Sequence, residues 1–393
     1  MTEMPTFPLG ELCDPARGIT YGIVKVGEFT PGGVPVIRGG DIRENRIIFN
    51  NEKRVSREVS DQFSRTILRG GELVINLIAE PGHCAIVPQA MAGFNVSRDV
   101  AVIPLNDSVN HSYVDWYLKS PAAIKWLTAR LSGSVTQKIN LGILRQVPIP
   151  LPARSHQDAI TETLGVLDEK IAVNECITTT VDKLLAASLS SSLNANHAHF
   201  VDQPLSQTAE FINGRAFTKN ATGNGRMVIR IAEIKSGPGP STVYNEIDVS
   251  DRHLARPGDV LFSWSGSLTV ARWYRSESII NQHIFKVIPK RGIPPWLAFE
   301  LIRLKLDEFR AIAADKATTM GHIQRRHLDK PVPVPTTELL AQLDAKLGPL
   351  WERALAAEQE SLALAALRNA LLPQLMSGLL RVRDAEHIVE NAL

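Results

Sequence analysis

Three cysteines among 393 residues, Cys13, Cys84 and Cys176, are too few, too scattered and too odd in number for a disulfide framework or a zinc knuckle. They predict buried free thiols. Long apolar runs are missing as well: Leu73 to Ala79, read across Asn76, and Leu362 to Leu367 fall far short of the roughly 18 residues a membrane span needs. The N-terminus MTEMPTFPLG has neither the basic start nor the apolar stretch of a secretion signal, so the cytoplasm is the expected location. Strings for nucleotide and cofactor chemistry are also wanting. No GxxxxGK[ST] loop offers a phosphate cradle, and no Gly-rich cofactor turn precedes an Asn- or Asp-Pro-Pro-aromatic loop that would hold a flipped adenine. Pro31-Gly32-Gly33 and Gly223-Asn224-Gly225 are turn signals outside the strand-to-helix setting that a nucleotide requires. Glu233-Ile234-Lys235 is the nearest approach to a nuclease carboxylate cluster, and no lysine follows at the equivalent place after Asp41. His283, His322 and His327 stand beside basic or amide neighbours and lack metal-ligand spacing.

What the chain does have is ordinary globular composition, 44% hydrophobic and 21% charged, and a length that suits two or three domains. Net charge is only +2, but it is unevenly laid out. Residues 1–154 hold 17 Lys and Arg against 14 Asp and Glu, and residues 200–336 hold 19 against 13. Residues 155–193 hold 2 against 6, and residues 337–393 hold 5 against 8. Two basic blocks able to face phosphates therefore alternate with two acidic ones.

The blocks also repeat. VIRGGDI at Val36–Ile42 matches VIRIAEI at Val228–Ile234, each a short strand and its exit. RGGELVIN at Arg69–Asn76 matches RPGDVLFS at Arg256–Ser263, a turn followed by a buried-strand run. SRDVAVIP at Ser97–Pro104 faces NQHIFKVIP at Asn281–Pro289, and Tyr113–Leu131 and Trp296–Ile312 both have helical spacing. VPIPLP at Val147–Pro152 and PVPVP at Pro331–Pro335 are extended exits stiffened by proline. After each exit comes a long amphipathic stretch. One runs from about Gln157 to Leu193 with apolar Ile160, Leu164, Leu167, Ile171, Val181 and Leu185. The other runs from about Glu338 to Leu371 through Leu343, Leu347, Leu350, Ala354 and Leu364. Such stripes suit helices that pack on each other or helices that lie on their own domains, and Asn174 on the stripe sets register in the first case and is a surface residue in the second. Ser191 to His199 is a linker by composition.

This order of parts resembles type I restriction-modification specificity subunits across essentially the whole chain. The most specific local matches are VTQKINLGILRQVPIPLP at Val135–Pro152, LLPQLMSGLL at Leu371–Leu380 and PGDVLFS at Pro257–Ser263. ATTMGHIQRRHLDKPVPVP at Ala317–Pro335 departs from the wording of the first half. The resemblance implies an α/β (α+β) chain with two similar target-recognition domains, 1–154 and 200–336. A central spacer helix at 155–193, a linker at 194–199, a second spacer helix at 337–380 and a tail at 381–393 complete it. The two helices would form an antiparallel coiled coil with pseudo-twofold symmetry. It further implies a non-catalytic subunit without cofactor of its own that binds a bipartite double-stranded DNA target. Its partners would be methyltransferase subunits, two of them, and restriction subunits, with S-adenosylmethionine, ATP and Mg belonging to those partners. A protein scaffold that does not bind DNA and a self-contained methyltransferase are the competing readings, weakened by the basic blocks and by the missing cofactor loops respectively.

Base edges are read by Arg and Lys, by Asn and Gln, and by small hydroxyls, so loops dense in these are candidates. In the first half these are Ser134, Thr136, Gln137, Lys138 and Asn140, together with Arg38, Arg43 and Arg46. In the second they are Thr318, Thr319, His322, Gln324, Arg325 and Arg326, together with Arg272. Trp264 and Trp273 read as core residues in preference to DNA contacts.

Overall fold

Short runs of β-branched and aromatic residues bounded by Gly, Pro and Asp give strands of two to six residues, and the computed structural model shows how they pair. It describes residues 4–43, 46–49, 53–78, 80–133, 137–315 and 321–393. Two compact units divide the chain: residues 1–168 with 365–393, and residues 169–364.

In the first unit the fully buried strand Leu73–Asn76 runs antiparallel to both Val100–Ile103 and Cys84–Ile86, and Thr20–Tyr21 completes a four-stranded sheet. A second sheet joins Arg54–Val55, Val34–Ile37 and Asn95–Val96. Ile37, Val74, Val96, Val100 and Val102 share one core between them. The proline exit is itself a strand, Pro148–Pro150, paired with Thr6–Pro8 in an isolated two-stranded ribbon where a missing N–H costs little. The expected helix over Tyr113–Leu131 is two helices, His111–Leu118 and Pro121–Thr128. Pro121 cannot continue the first, and Ser120 caps the second by accepting from the Ala123 N–H.

The second unit repeats the scheme. Ala209–Asn213, Ile284–Pro289, Val260–Ser263 and Thr269–Arg272 form the four-stranded sheet in that order. Val243–Asn245, Arg226–Ile229, Ser278–Ile280 and Leu254–Ala255 form the second sheet. The proline exit Pro331–Pro335 pairs with Phe200–Pro204, and Pro295–Asp315 is one helix.

The long helices span Arg154–Ala195 and Thr337–Met376. Within the second unit they run antiparallel: Asn174 on the first donates to Glu360 Oε2 at 2.8 Å, while Val181, Leu185 and Leu189 further along share a core with Leu343, Leu347 and Ala354. Within the first unit Arg368 pairs with Asp168. Asn174 is buried at 1% exposure and thus takes the register-setting role: its Nδ2 meets Glu360 on the facing helix, while its Oδ1 has no hydrogen-bond partner among the described residues. Three expectations change. Ser191–Ala195 of the linker is the last turn of the helix, the tail carries the helix Val382–Glu390 with Val382, Ala385 and Val389 buried, and Cys176 is exposed whereas Cys13 and Cys84 are buried. No helix of the described residues is long and apolar enough to cross a membrane.

Candidate nucleic-acid interface

The two halves share a main-chain frame, residue for residue, around the loop that precedes each proline exit. In the first, Leu77 donates to the carbonyl of Asp99 (2.7 Å) and accepts from Ile139 (2.9 Å). In the second, Trp264 donates to the carbonyl of His283 (3.1 Å) and accepts from Ile323 (3.0 Å). Lys138 bridges Ile78 as His322 bridges Ser265. Arg98 donates its N–H to Ile23 O and Gln282 donates to Arg215 O, both at 2.9 Å. A buried glycine precedes each acceptor because a Cβ on Gly22 would overlap the Val96 carbonyl and one on Gly214 the Asn281 carbonyl. Turn carboxylates recur too: Asp41 accepts from the Arg38 N–H and Glu233 from the Arg230 N–H, each at 2.9 Å.

Backbone bonding thus fixes the loops and leaves their side chains outward. In the first half Gln137, Lys138 and Asn140 are exposed, and Asn140 Oδ1 is committed to capping the helix Leu141–Arg145 through the Gly142 N–H at 2.8 Å. Arg38, Arg43 and Arg46 are exposed as well. Arg38 lies 3.8 Å from Asp41, Arg43 donates to Gly40 O, and Arg43 and Arg46 face each other across a two-residue strand pair. Asp99 joins the two predicted loops: its Oδ2 accepts from the Gly39 N–H at 2.8 Å while its carbonyl holds Leu77, on which the Gln137–Asn140 loop is hung. In the second half His322, Gln324, Arg325 and Arg326 are exposed, with Arg325 reaching Phe211 O at 3.4 Å. Ser134, Thr136, Thr318 and Thr319 lie outside the described residues.

Arg272 does not belong with these. It pairs with Val260 at the end of the hairpin opposite to Trp264, because three residues of antiparallel strand, Thr269 to Ala271, separate it from the turn. Its side chain is 2% exposed, bonded to Glu358 at 2.8 and 3.1 Å, 3.6 Å from Asp182, and stacked over Trp351 at 4.3 Å. Burial pushes the Glu358 and Asp182 carboxyls above their usual range, and the Arg272 guanidinium pulls both back. The assignment of Arg272 to DNA is therefore corrected: it fastens a strand to the long helices. Trp273, 2% exposed, is core as expected. Trp264 is only half-buried. Residues that composition did not single out, Arg98, Gln282, Asn213 and Arg215, are exposed on the same frame. Arg98 and Gln282 stand in the matched strings SRDV and NQHI, which was the available signal.

Residues 1–183 match the model of the type I restriction modification DNA specificity domain. A relative of similar kind, the specificity subunit of the Escherichia coli type I restriction enzyme EcoBI, is 25% identical over 160 residues, 40% of this chain and 34% of the relative's length. The specificity subunit of the type I restriction enzyme MjaIX from Methanocaldococcus jannaschii is 21% identical over 92% of this chain and 90% of its own. The matched segment, just under half of the chain, makes its first half a type I restriction modification DNA specificity domain. Its fold agrees: the S subunit of a type I restriction-modification system from M. genitalium superposes with a TM-score of 0.56 at 14% identity, covering 95% of this chain and 97% of that one. The specificity domain therefore accounts for the first frame, and the second frame, beyond the matched residues, is its structural repeat.

Proposed function

We propose that this chain reads a bipartite target in double-stranded DNA, one half-sequence per globular half, and carries no chemistry of its own. The observation that supports this most is the shared frame, whose matching main-chain bonds hold the two loops with Gln137, Lys138, His322, Gln324 and Arg326 exposed, where they can meet phosphates and base edges. Residues 1–154 and 200–336 serve as the two recognition domains, and the long helices Arg154–Ala195 and Thr337–Met376 as the spacers. Two methyltransferase subunits, and restriction subunits where the system has them, are brought to the site in the cytoplasm. S-adenosylmethionine, ATP and Mg act in those partners.

The test is selection of bound duplexes from a random pool by the full-length chain at two salt concentrations. Two short defined sequences separated by an unread gap are expected, with affinity falling steeply as salt rises because phosphate contacts release counterions. Enrichment of a single uninterrupted sequence, or affinity indifferent to salt, would refute the reading.

A further inference from the structure

The second frame carries side chains that its own bonding does not require. Trp264 lies on Phe285, with ring centroids 5.8 Å apart, and donates Nε1–H to Asn213 Oδ1 at 2.8 Å. Two imidazoles flank the half-buried indole: His283 at 5.1 Å, and His322 edge-on at 6.3 Å. His283 has φ of 73°, in the left-handed region that non-glycine residues avoid, and its buried Nδ1 has no hydrogen-bond partner among the described residues. Strain of this kind persists where the surrounding structure imposes it, and it gathers at sites of function. Folding does not need these residue types. In the first half Leu77, Asp99 and Lys138 occupy the three positions and make the same main-chain bonds.

We propose that Trp264, His283 and His322 are specificity-determining residues of the second half, forming a reading platform for a base-pair edge in double-stranded DNA. The proposal rests on the DNA-reading function above. When neutral, the exposed imidazole of His322 offers one donor and one acceptor, the paired pattern that a base edge presents; His283, its Nδ1 buried, backs the indole, whose face supplies the apolar contact that a thymine methyl group takes. Lys138, at the place of His322, is a donor alone.

His322→Ala, His322→Lys and His283→Asn test this, the last because Asn tolerates a positive φ. Each full-length variant is taken through the random-duplex selection beside the wild type, with thermal unfolding recorded. The expected result is a fall of about 5- to 150-fold in discrimination at one or two base pairs of a single half-target, the other half-target unchanged. His322→Ala, whose side chain is exposed, is expected to unfold as the wild type does. Variants that enrich the wild-type sequence with undiminished ratios, or that lose both half-targets alike, overturn the proposal while leaving the DNA-reading function standing. A wild-type chain that enriches no sequence overturns both.

Discussion

Removing Arg272 separates a structural pin from a DNA contact. The guanidinium is 2% exposed and faces Glu358 at 2.8 Å and Asp182 at 3.6 Å, with Trp351 beneath it. In Arg272→Met the methylene volume stays, but two carboxylates that burial already disfavours lose the cation that holds them ionised. Breaking a buried pair from one side costs about 3–5 kcal/mol, a large share of the roughly 5–15 kcal/mol that keeps a domain folded. Both carboxyls then titrate still higher in the folded state, so the loss should be largest at pH 7–8, where the unfolded chain ionises them freely. It should shrink as the pH falls toward about 3, where both are largely protonated in the unfolded chain as well. Urea unfolding at the two pH values measures this. Adding Glu358→Gln to the variant should return part of the loss at pH 8, since one orphaned charge disappears. If Arg272→Met unfolds like the wild type at pH 8 but relaxes sequence selection at one half-target, the pin is wrong and the residue touches DNA.

Glu300, 1% exposed on the helix Pro295–Asp315, has its carboxyl pushed up to about 7, chiefly by burial, with Arg303 opposing and Asp182 adding. Because the folded value lies above the ordinary 4.5, the protein suffers no penalty below about pH 4.5, a growing one up to about pH 7 and a constant one beyond. Glu300→Gln should therefore stabilise by up to the order of 3 kcal/mol at pH 8 and by nothing near pH 4, and a difference independent of pH would dismiss the account. Gly22→Ala and Gly214→Ala should each cost about 1–3 kcal/mol, because a Cβ at either place meets a carbonyl of the neighbouring chain segment. Proteolysis should then map each loss to the variant's own globular half, and equal exposure of both halves would contradict the equivalence of the frames.

Local elements and their order could be read directly from the chain. Buried-strand runs such as LVIN and VLFS, proline exits and leucine stripes each encode their conformation within a few residues, and their recurrence at matching places disclosed the repeat. Even the break at Pro121 was local chemistry, written in the Ser-Pro pair though not expected. Which faces those elements turn to one another emerges only in the assembled fold. Arg272 looks like any arginine of a polar loop, yet an antiparallel hairpin carries it to the end where Glu358, 86 residues away in sequence, waits for it. Asn174 had two roles open until Glu360 was placed against it. Leu77, Asp99 and Lys138 are dispersed in one half as Trp264, His283 and His322 are in the other, and only strand pairing gathers each trio. Propensity and periodicity act over single turns and pleats, while a site for a ligand is made by contacts between distant segments, whose partners no local pattern names.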